Sequence, residues 1–287
     1  MISLADVESL TGGRLGMFNV ACPICSPYRK PAHQRQRKLR IWRREPDFAG
    51  FYCAHCGLSG YAADCHSTRP DPTRLTKARA EAAELERLET AVQLAKARRL
   101  WARRQPIAGT LAETYLRSRG ITGPLPATLG YLPPGGEYPP SMIAAFGMAR
   151  EVEPGVLAIA DADVAGVHLT RLRPDGLGKA GTDRDKIMIG RSIGVPIVLS
   201  PPNDGLGLAI AEGIEDALTV LETTGLGTWA AGSASRLPAL AGAIPDDTEV
   251  LTVMVDDDAA GQDGAAKLAA AVGSRMEVRC IKMDAPQ

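Results

Sequence analysis

The sequence lacks any long apolar segment. None of its apolar runs approaches the ~18–20 residues that a membrane-spanning helix needs. Residues 1–6 contain neither a basic region nor the apolar core of a signal peptide. These absences argue against a membrane partner and predict a cytoplasmic location, where cysteine thiols stay reduced.

An overall excess of charge is also absent, but the two parts of the chain differ in sign. Residues 1–104 contain 19 lysines and arginines against 10 acidic residues, a net charge of +9. The remainder has 14 basic residues against 23 acidic ones, a net charge of −9. The first part is therefore suited to polyanions such as nucleic acid, and the second part to cations.

A P-loop is missing as well. Gly178 and Lys179 match the end of that motif, but Arg173 stands where its first glycine should be, and Ala180 replaces its serine or threonine. We therefore expect no ATP-driven motor in this sequence.

Four of the six cysteines form two CxxC pairs separated by 27 residues. Two such pairs supply the four thiolates of a tetrahedral zinc site. The alternative is a redox dithiol, but neither pair lies in a βαβ pattern. Cys65 and His66 follow closely and are possible substitute ligands. The predicted zinc ligands are Cys22, Cys25, Cys53 and Cys56. Cys280 lies in an apolar strand, where we expect it to be buried.

The segment between the pairs is rich in arginine and lysine. Residues 38–44 alternate basic and apolar side chains with a period of two, which predicts a half-buried strand with a basic outer face. Basic groups beside aromatic rings bind single-stranded nucleic acid by phosphate contact and base stacking. We expect Arg40, Trp42 and Arg43 to make such contacts; the alternative is a solvated face on a small domain.

The middle of the chain begins with a predicted helix. Residues 74–104 contain no glycine or proline and repeat leucine at helical spacing, which is typical of a long exposed helix. Residues 110–113 read as a capping box that opens a second, short helix. Arg171, Lys179 and Lys186 follow in a strand-rich region, where they either hold phosphates or are surface charges without a function.

The last part of the chain alternates apolar strands with helical segments, which predicts a parallel sheet. One of these segments, residues 235–243, is expected to be an α-helix. One apolar strand ends at Glu212, and another, 44 residues later, ends at Asp256 and Asp258. Carboxyl ends of parallel strands meet at one edge of a sheet, where such folds build their sites.

Converging carboxylates are hard-oxygen ligands of the kind that magnesium prefers. We expect Glu212, Asp256 and Asp258 to hold catalytic magnesium, with like charge raising the pKa of Glu212 so that it can act as a general acid or base. The alternative is a pair of solvated acidic turns that bind no metal.

These residues resemble the motifs of the Toprim domain, which bacterial primases, topoisomerases and some recombination proteins share. Glu212-Gly213 resembles its glutamate motif, Gly232-Ser233 its glycine turn, and residues 256–261 its DxD motif. A four-cysteine ribbon followed by Toprim resembles DnaG-type primases, and still more the zinc-ribbon–Toprim primase-like proteins of phages and integrated elements. Residues 108–110, 115–120 and 211–215 are similar to that group.

The resemblance implies a DNA primase that makes short RNA primers on single-stranded DNA from ribonucleoside triphosphates, with structural zinc and catalytic magnesium. It implies that Arg171, Lys179 and Lys186 line the template or nucleotide path, and that a separate replicative helicase unwinds DNA. The family often has a further acidic residue after its last strand, for which Asp284 is the candidate. Two alternatives stay open, a non-catalytic recombination mediator of the RecR type and a Toprim nuclease.

The expected fold class is α/β, with a zinc ribbon, a helical linker, an α+β middle region and a Toprim domain. The predicted boundaries are 1–68 for the zinc ribbon, 69–105 for the linker, 106–204 for the middle region and 205–287 for the Toprim domain.

Overall fold

A computed structural model describes residues 2–29, 31–63, 72–136, 138–203 and 206–282. The chain divides into two compact units, Met1–Ala82 and Ala83–Gln287. Among the helices that the structure describes, none has both the length and the apolar character needed to span a bilayer. The domain boundaries drawn from the sequence stay a prediction.

The first unit is built on a four-stranded antiparallel sheet in the order β1-β2-β3-β4. Ser3 and Asp6 form a capping box that starts its first helix. Leu39, Ile41 and Phe51 are buried between the sheet and this helix. The elements are α1 (Leu4–Thr11), β1 (Gly16–Val20), α2 (Pro31–Gln34), β2 (Leu39–Glu45), β3 (Phe48–Cys53) and β4 (Ser59–Ala63).

A long helix, α3 (Pro72–Ala102), follows the ribbon, as the composition predicted. Leu85, Leu88 and Val92 are exposed on it. Its last turns are buried instead, because Ala97 and Trp101 pack in the same cluster as the apolar side chains of a neighbouring sheet.

That sheet has four antiparallel strands in the order β10-β9-β6-β5. Strand β6 is buried along its whole length. Helix α4 packs on β6 and contributes Tyr115 and Leu116 to a cluster that also contains Ile214 and Leu218 of the last part of the chain. The elements are α4 (Leu111–Ser118), β5 (Leu129–Leu132), β6 (Ser141–Phe146), β7 (Arg150–Glu153), β8 (Val156–Ala158), β9 (Gly166–Arg171) and β10 (Lys186–Gly190).

The capping box predicted at the start of α4 is wrong. Thr110 is the N-cap residue, but its side chain makes no cap hydrogen bond; its hydroxyl donates to the carbonyl of Ile107 at 2.6 Å. Glu113 reaches back past Thr110 and accepts from the N–H of Gly109 at 2.7 Å. The glutamate therefore stabilises the preceding turn rather than the N-cap itself.

The second sheet of this unit has the order β11-β13-β12-β14-β15. Strands β13, β12, β14 and β15 are parallel, as predicted, while β11 adds an antiparallel strand to β13. The elements are β11 (Ile197–Val198), β12 (Gly207–Ala211), α5 (Ile214–Thr224), β13 (Gly227–Ala230), β14 (Val250–Val255), α6 (Ala259–Val272) and β15 (Glu277–Lys282).

Two expectations for this sheet were wrong. The helix expected over residues 235–243 is a 3-10 helix, Ala234–Gly242, because Pro238 lies inside it and cannot donate an α-helical hydrogen bond. Cys280 was expected to be buried but is exposed. It lies in β15, the edge strand of the sheet, whose side chains are nearly all exposed.

Candidate functional site

The four cysteines of the two CxxC turns lie together in the first unit. Their sulfur atoms all fall within 4.8 Å of one another, and Cys25 Sγ is 3.8 Å from Cys53 Sγ. Zinc bonded tetrahedrally to sulfur at about 2.3 Å separates neighbouring sulfurs by about 3.8 Å. The cluster Cys22, Cys25, Cys53 and Cys56 therefore has the spacing that zinc requires, whereas Cys65 and His66 lie outside the described residues.

The backbone around the second pair is arranged to support a thiolate. Burial raises the pKa of Cys53, but the backbone N–H groups of Cys56 and His55 outweigh burial and lower its pKa to about 7. Gly57 adopts a left-handed φ of 71°, which a glycine tolerates without strain. Burial, followed by hydrogen bonds from the other cysteines, raises the pKa of Cys25.

The outer face of the ribbon sheet carries aromatic and polar side chains. Trp42 is half-buried and pairs in register with Met17 on one side and Gly50 on the other. Gly50 in turn pairs with Tyr61, which stacks on Phe48 with ring centroids 5.8 Å apart. This surface, which we call the aromatic face, consists of Met17, Trp42, Phe48, Tyr52 and Tyr61.

Arg40 and Arg43 lie on opposite faces of β2. Arg40 is half-buried on the outer face, and its Nε donates to Asn19 Oδ1 at 3.1 Å. Arg43 is only 3% exposed and donates to Thr11 Oγ1, Glu8 Oε1 and the carbonyl of Pro46. The prediction that Arg43 contacts nucleic acid is therefore wrong, because the two-residue period places it on the inner face with Leu39 and Ile41.

The predicted metal-binding carboxylates lie at the carboxyl edge of the parallel sheet. Glu212 follows β12, Asp256 follows β14, and these two strands are paired neighbours. Gly261 packs so closely on the aspartate turn that a Cβ at this position would lie 2.9 Å from the carbonyl oxygen of Asp256. The glycine after the aspartates thus lets α6 begin directly against the site.

Asp258 also caps the helix that begins at this edge. It is the N-cap of α6, and its Oδ1 accepts from the N–H of Gly261 at 2.8 Å. Asp257 is exposed. Among the described residues, the four cysteines form the group of three or more ligand side chains placed to hold one metal ion, and the three carboxylates do not form such a group.

The electrostatics of Glu212 fit a metal site. Burial raises its pKa, and the negative charges of Asp256 and Asp258 raise it further. The charge of Lys186 and the N–H of Ala234 oppose this rise without cancelling it. The expected rise is confirmed, but burial rather than like charge is its largest cause.

The glycine turn after β13 supports the same carboxylate. Gly232 has a left-handed φ of 82°, and its N–H donates to the backbone carbonyl of Glu212 at 2.9 Å. The next residues bring the N–H of Ala234 to the Glu212 side chain. This turn has a left-handed backbone that a residue with a side chain would adopt only with strain. It holds Glu212 through both the backbone carbonyl and the carboxylate of that residue.

The three basic candidates of the middle region differ in how they are related to the acidic edge. Lys186 is exposed at the start of β10, and its charge lowers the pKa of Glu212, Glu215 and Asp216. Lys179 Nζ lies 3.4 Å from Glu215 Oε1. Arg171 is half-buried at the end of β9.

Sequence reasoning missed two acidic residues in the first turn of α5. Glu215 is largely buried and ion-paired, and the resulting pKa is about 2, because Lys179 and a hydrogen bond from Tyr115 outweigh its burial. Burial followed by the charges of Glu215 and Asp256 raises the pKa of Asp216. Their position in the sequence could have indicated them, since both follow Glu212 within four residues.

Two further buried groups contribute to the same region. Tyr115 of α4 donates a hydrogen bond to Glu215 Oε1. His168 of β9 is 2% exposed, and burial followed by the charge of Lys186 lowers its pKa to about 4. His168 is therefore neutral near pH 7 and adds no charge beside the carboxylates.

Comparisons with known proteins agree with this geometry in the C-terminal part of the chain. Residues 207–287 match the family model of the Toprim domain, and residues 91–199 match a domain of unknown function (DUF7146). No curated protein gives a significant match.

Three solved structures are similar to the chain at 14% sequence identity. The DnaG catalytic core aligns over 70% of this chain and 72% of its own, with a TM-score of 0.41. The DnaG primase catalytic domain bound to ssDNA aligns over 72% and 76%, with a TM-score of 0.42. The Aquifex aeolicus primase, with its zinc-binding and RNA polymerase domains, aligns over 100% and 78%, with a TM-score of 0.37.

The family match begins at the first residue of β12 and includes every carboxylate at the edge of the parallel sheet. The C-terminal part of this chain is therefore a Toprim domain, as its motifs predicted.

Proposed function

We propose that this protein is a DNA primase that synthesises short RNA primers on single-stranded DNA from ribonucleoside triphosphates. The observation that carries the proposal is the placement of Glu212 and Asp256 after neighbouring parallel strands, with the cation Lys186 close by. A Toprim domain with an acidic edge and adjacent basic residues suits the transfer of a nucleotidyl group.

The donor atoms at the acidic edge fit magnesium, because carboxylate oxygens are its usual protein ligands. Glu212, Asp256 and Asp258 would hold the ion, which, when bound, offsets charge developing on the phosphates of a nucleotide. The raised pKa of Glu212 lets its carboxyl hold or release a proton near the reacting oxygen. The capping bond uses Oδ1 of Asp258, so we assign its other oxygen to the metal.

The basic residues would orient the phosphates. Lys186 is exposed beside the acidic edge, where its ammonium group can contact a triphosphate or a template phosphate. Lys179 is held against Glu215 and is therefore fixed in place before substrate binds. We retain Arg171 as a contact to the template, from its position at the end of β9.

The ribbon would bind the template. We propose that Arg40 contacts a phosphate while the aromatic face stacks on bases, with Trp42 at its centre. Zinc held by the four cysteines would be structural, because all four coordination positions would be filled by protein.

The test is incorporation of ribonucleotides on a single-stranded DNA template with magnesium. Wild-type protein should make short RNA, and Asp256→Asn should reduce synthesis at least about a hundredfold, in line with loss of an essential metal ligand. Asp257→Asn is the matched control, since Asp257 is the exposed neighbour and should retain activity. Omission of magnesium should abolish synthesis in every variant.

A recombination-mediator role without catalysis is the second candidate. It is favoured by the capping bond of Asp258, and by the finding that the three carboxylates, unlike the thiols, are not grouped as the ligands of one metal ion. In that case wild type and Asp256→Asn should bind DNA equally and make no RNA. DNA cleavage by the wild type alone would instead indicate a Toprim nuclease.

As a primase, the protein would act with a separate replicative helicase. Stimulation of RNA synthesis by such a helicase would test this partnership.

A further inference from the structure

A cavity of about 400 Å³ opens in the second unit, away from the residues discussed so far. Its walls come from the loops after β6 and β10, the segment before β9 and the end of the 3-10 helix. Met148, Val195 and Pro196 form apolar wall, while Arg150, Asp163 and Arg191 contribute the charges. The volume falls within the ~300–1,000 Å³ typical of small-molecule sites.

The cavity lies at the opposite end of the β9–β10 pair from the acidic edge. Gly190 pairs with Gly166 beside Arg191, whereas Lys186 pairs with Thr170 at the other end. A ligand in the cavity would therefore be distinct from one held by the carboxylates and Lys186.

The loops that form the cavity are tied together before any ligand binds. Arg98 of α3 donates from Nε to the carbonyl of Val164 at 3.1 Å and also to the carbonyl of Ala162, which holds the backbone on both sides of Asp163. The N–H of Arg191 donates to Ala165 at 2.8 Å. The walls are thus preformed, which lowers the ordering cost of binding.

Further packing fixes the opposite wall. The N–H of Gly147 donates to the carbonyl of Pro196 at 3.0 Å, and a Cβ at Gly147 would lie 2.6 Å from the carbonyl oxygen of Asp163. Close backbone approach at Gly147 therefore brings three separate segments of the chain against the same cavity.

The two arginines of the cavity are available to a ligand. Both side chains are exposed, and within the described part of the chain neither guanidinium group has an ion pair or a hydrogen bond. Two arginines facing one concave space form a site for phosphate, which they bind through paired, charge-assisted hydrogen bonds. Asp163, which also lines the cavity, can only accept hydrogen bonds when ionised.

We propose that this cavity binds a free nucleoside 5′-phosphate. The phosphates would contact Arg150 and Arg191, the base would pack on Met148, Val195 and Pro196, and Asp163 would accept from a sugar hydroxyl or a base amino group. The carboxylate disfavours a continuous run of phosphates, so a single nucleotide fits the charges better than a nucleic-acid strand does.

The test is isothermal titration calorimetry of the full, zinc-loaded chain with GTP, ATP and GMP in magnesium-free buffer, which suppresses metal-dependent binding at the acidic edge. Wild type and Asp256→Asn should bind a nucleotide equally, while Arg150→Ala and Arg191→Glu should each weaken binding about tenfold or more. Arg87→Ala, an exposed arginine of α3 outside the cavity, is the matched control and should bind as wild type does.

Four results would overturn the proposal. The first is the absence of saturable nucleotide binding by the wild type. The second is unchanged affinity in both cavity variants, and the third is loss of binding in Asp256→Asn. Thermal unfolding of each variant confirms that it is folded, and a single-stranded oligonucleotide serves as the comparison ligand. The fourth is a cavity variant that binds this single strand more weakly than wild type while its nucleotide binding is intact.

Discussion

Lys179 Nζ lies 3.4 Å from Glu215 Oε1, the same oxygen that accepts a hydrogen bond from Tyr115. The three residues come from the loop before β10, from α5 and from α4. Glu215 therefore links the helix that follows the Glu212 turn to the middle region, and it holds a cation that we assign to phosphate binding. Removing any one of the three leaves another polar group buried without its partner.

Glu215→Gln should destabilise the second unit at neutral pH by about 2–3 kcal/mol. Its pKa is about 2 in the folded chain and about 4.3 in an unfolded one. A lowered carboxyl pKa stabilises the fold fully above the unfolded value, and this contribution is lost as pH falls toward the folded value. Urea unfolding should therefore show a large difference from wild type at pH 7 and a small one near pH 3.

Tyr115→Phe separates the hydrogen bond from the ion pair in the same network. It should cost about 1.5–3 kcal/mol, since it removes a bond to a charged acceptor while keeping the buried ring. The double variant with Glu215→Gln should be less destabilised than the sum of the two single variants. Additive losses would mean that the tyrosine and the glutamate act independently.

Glu212→Gln should raise the thermal stability of the zinc-loaded chain in magnesium-free buffer at pH 7 to 8. Burial and the neighbouring aspartates raise the pKa of Glu212, so its ionised form destabilises the fold above that pKa and the penalty disappears as pH falls. Magnesium should stabilise the wild type more than the variant. A variant less stable than wild type in magnesium-free buffer would show that the carboxylate has a structural role instead.

Removal of zinc should unfold the ribbon. Structural zinc contributes roughly 10–16 kcal/mol in small peptides, more than a sheet of this size supplies alone. Cys53→Ser should abolish zinc binding, and hydrogen exchange should show loss of protection in residues 39–53 while β12 and β14 keep theirs. Cys280→Ser replaces an exposed cysteine outside the cluster and should retain a full equivalent of zinc.

Substitution of Arg43 should lower the stability of the ribbon, whereas substitution of Arg40 should lower its affinity for DNA. Arg43→Ala removes buried hydrogen bonds to Thr11, Glu8 and Pro46 and should cost the ribbon about 2–3 kcal/mol. Arg40→Ala and Trp42→Ala should instead weaken single-stranded DNA binding about fivefold or more, measured by fluorescence anisotropy. A folded Arg43→Ala protein with lowered DNA affinity would contradict this assignment.

The sequence predicted those parts of the site that depend on local pattern. Glu212 and Asp256 each end a short apolar run, so their place at the sheet edge follows from strand length and direction. The same logic, applied strictly, would also have placed Arg43 inside, since it shares a two-residue period with Leu39 and Ile41. Its positive charge was given more weight than its position.

Other parts of the site depend on tertiary packing that no local pattern reveals. Tyr115 and Glu215 are 100 residues apart in the chain and meet only because α4 packs against α5. The position of Cys280 depends on which strand forms the edge of the sheet. A strand's own sequence does not fix its order in the sheet, and for that reason Cys280 was misplaced.

The proposed primase activity depends most directly on whether the protein synthesises RNA and whether that synthesis requires the carboxylates at the edge of the parallel sheet. The decisive measurement is the rate of ribonucleotide incorporation on single-stranded DNA with magnesium, comparing wild type, Asp256→Asn and Asp257→Asn. The wild type and Asp257→Asn should both synthesise RNA, and Asp256→Asn should not. Equal rates in all three proteins, or no synthesis by a folded, zinc-loaded wild type, would contradict it.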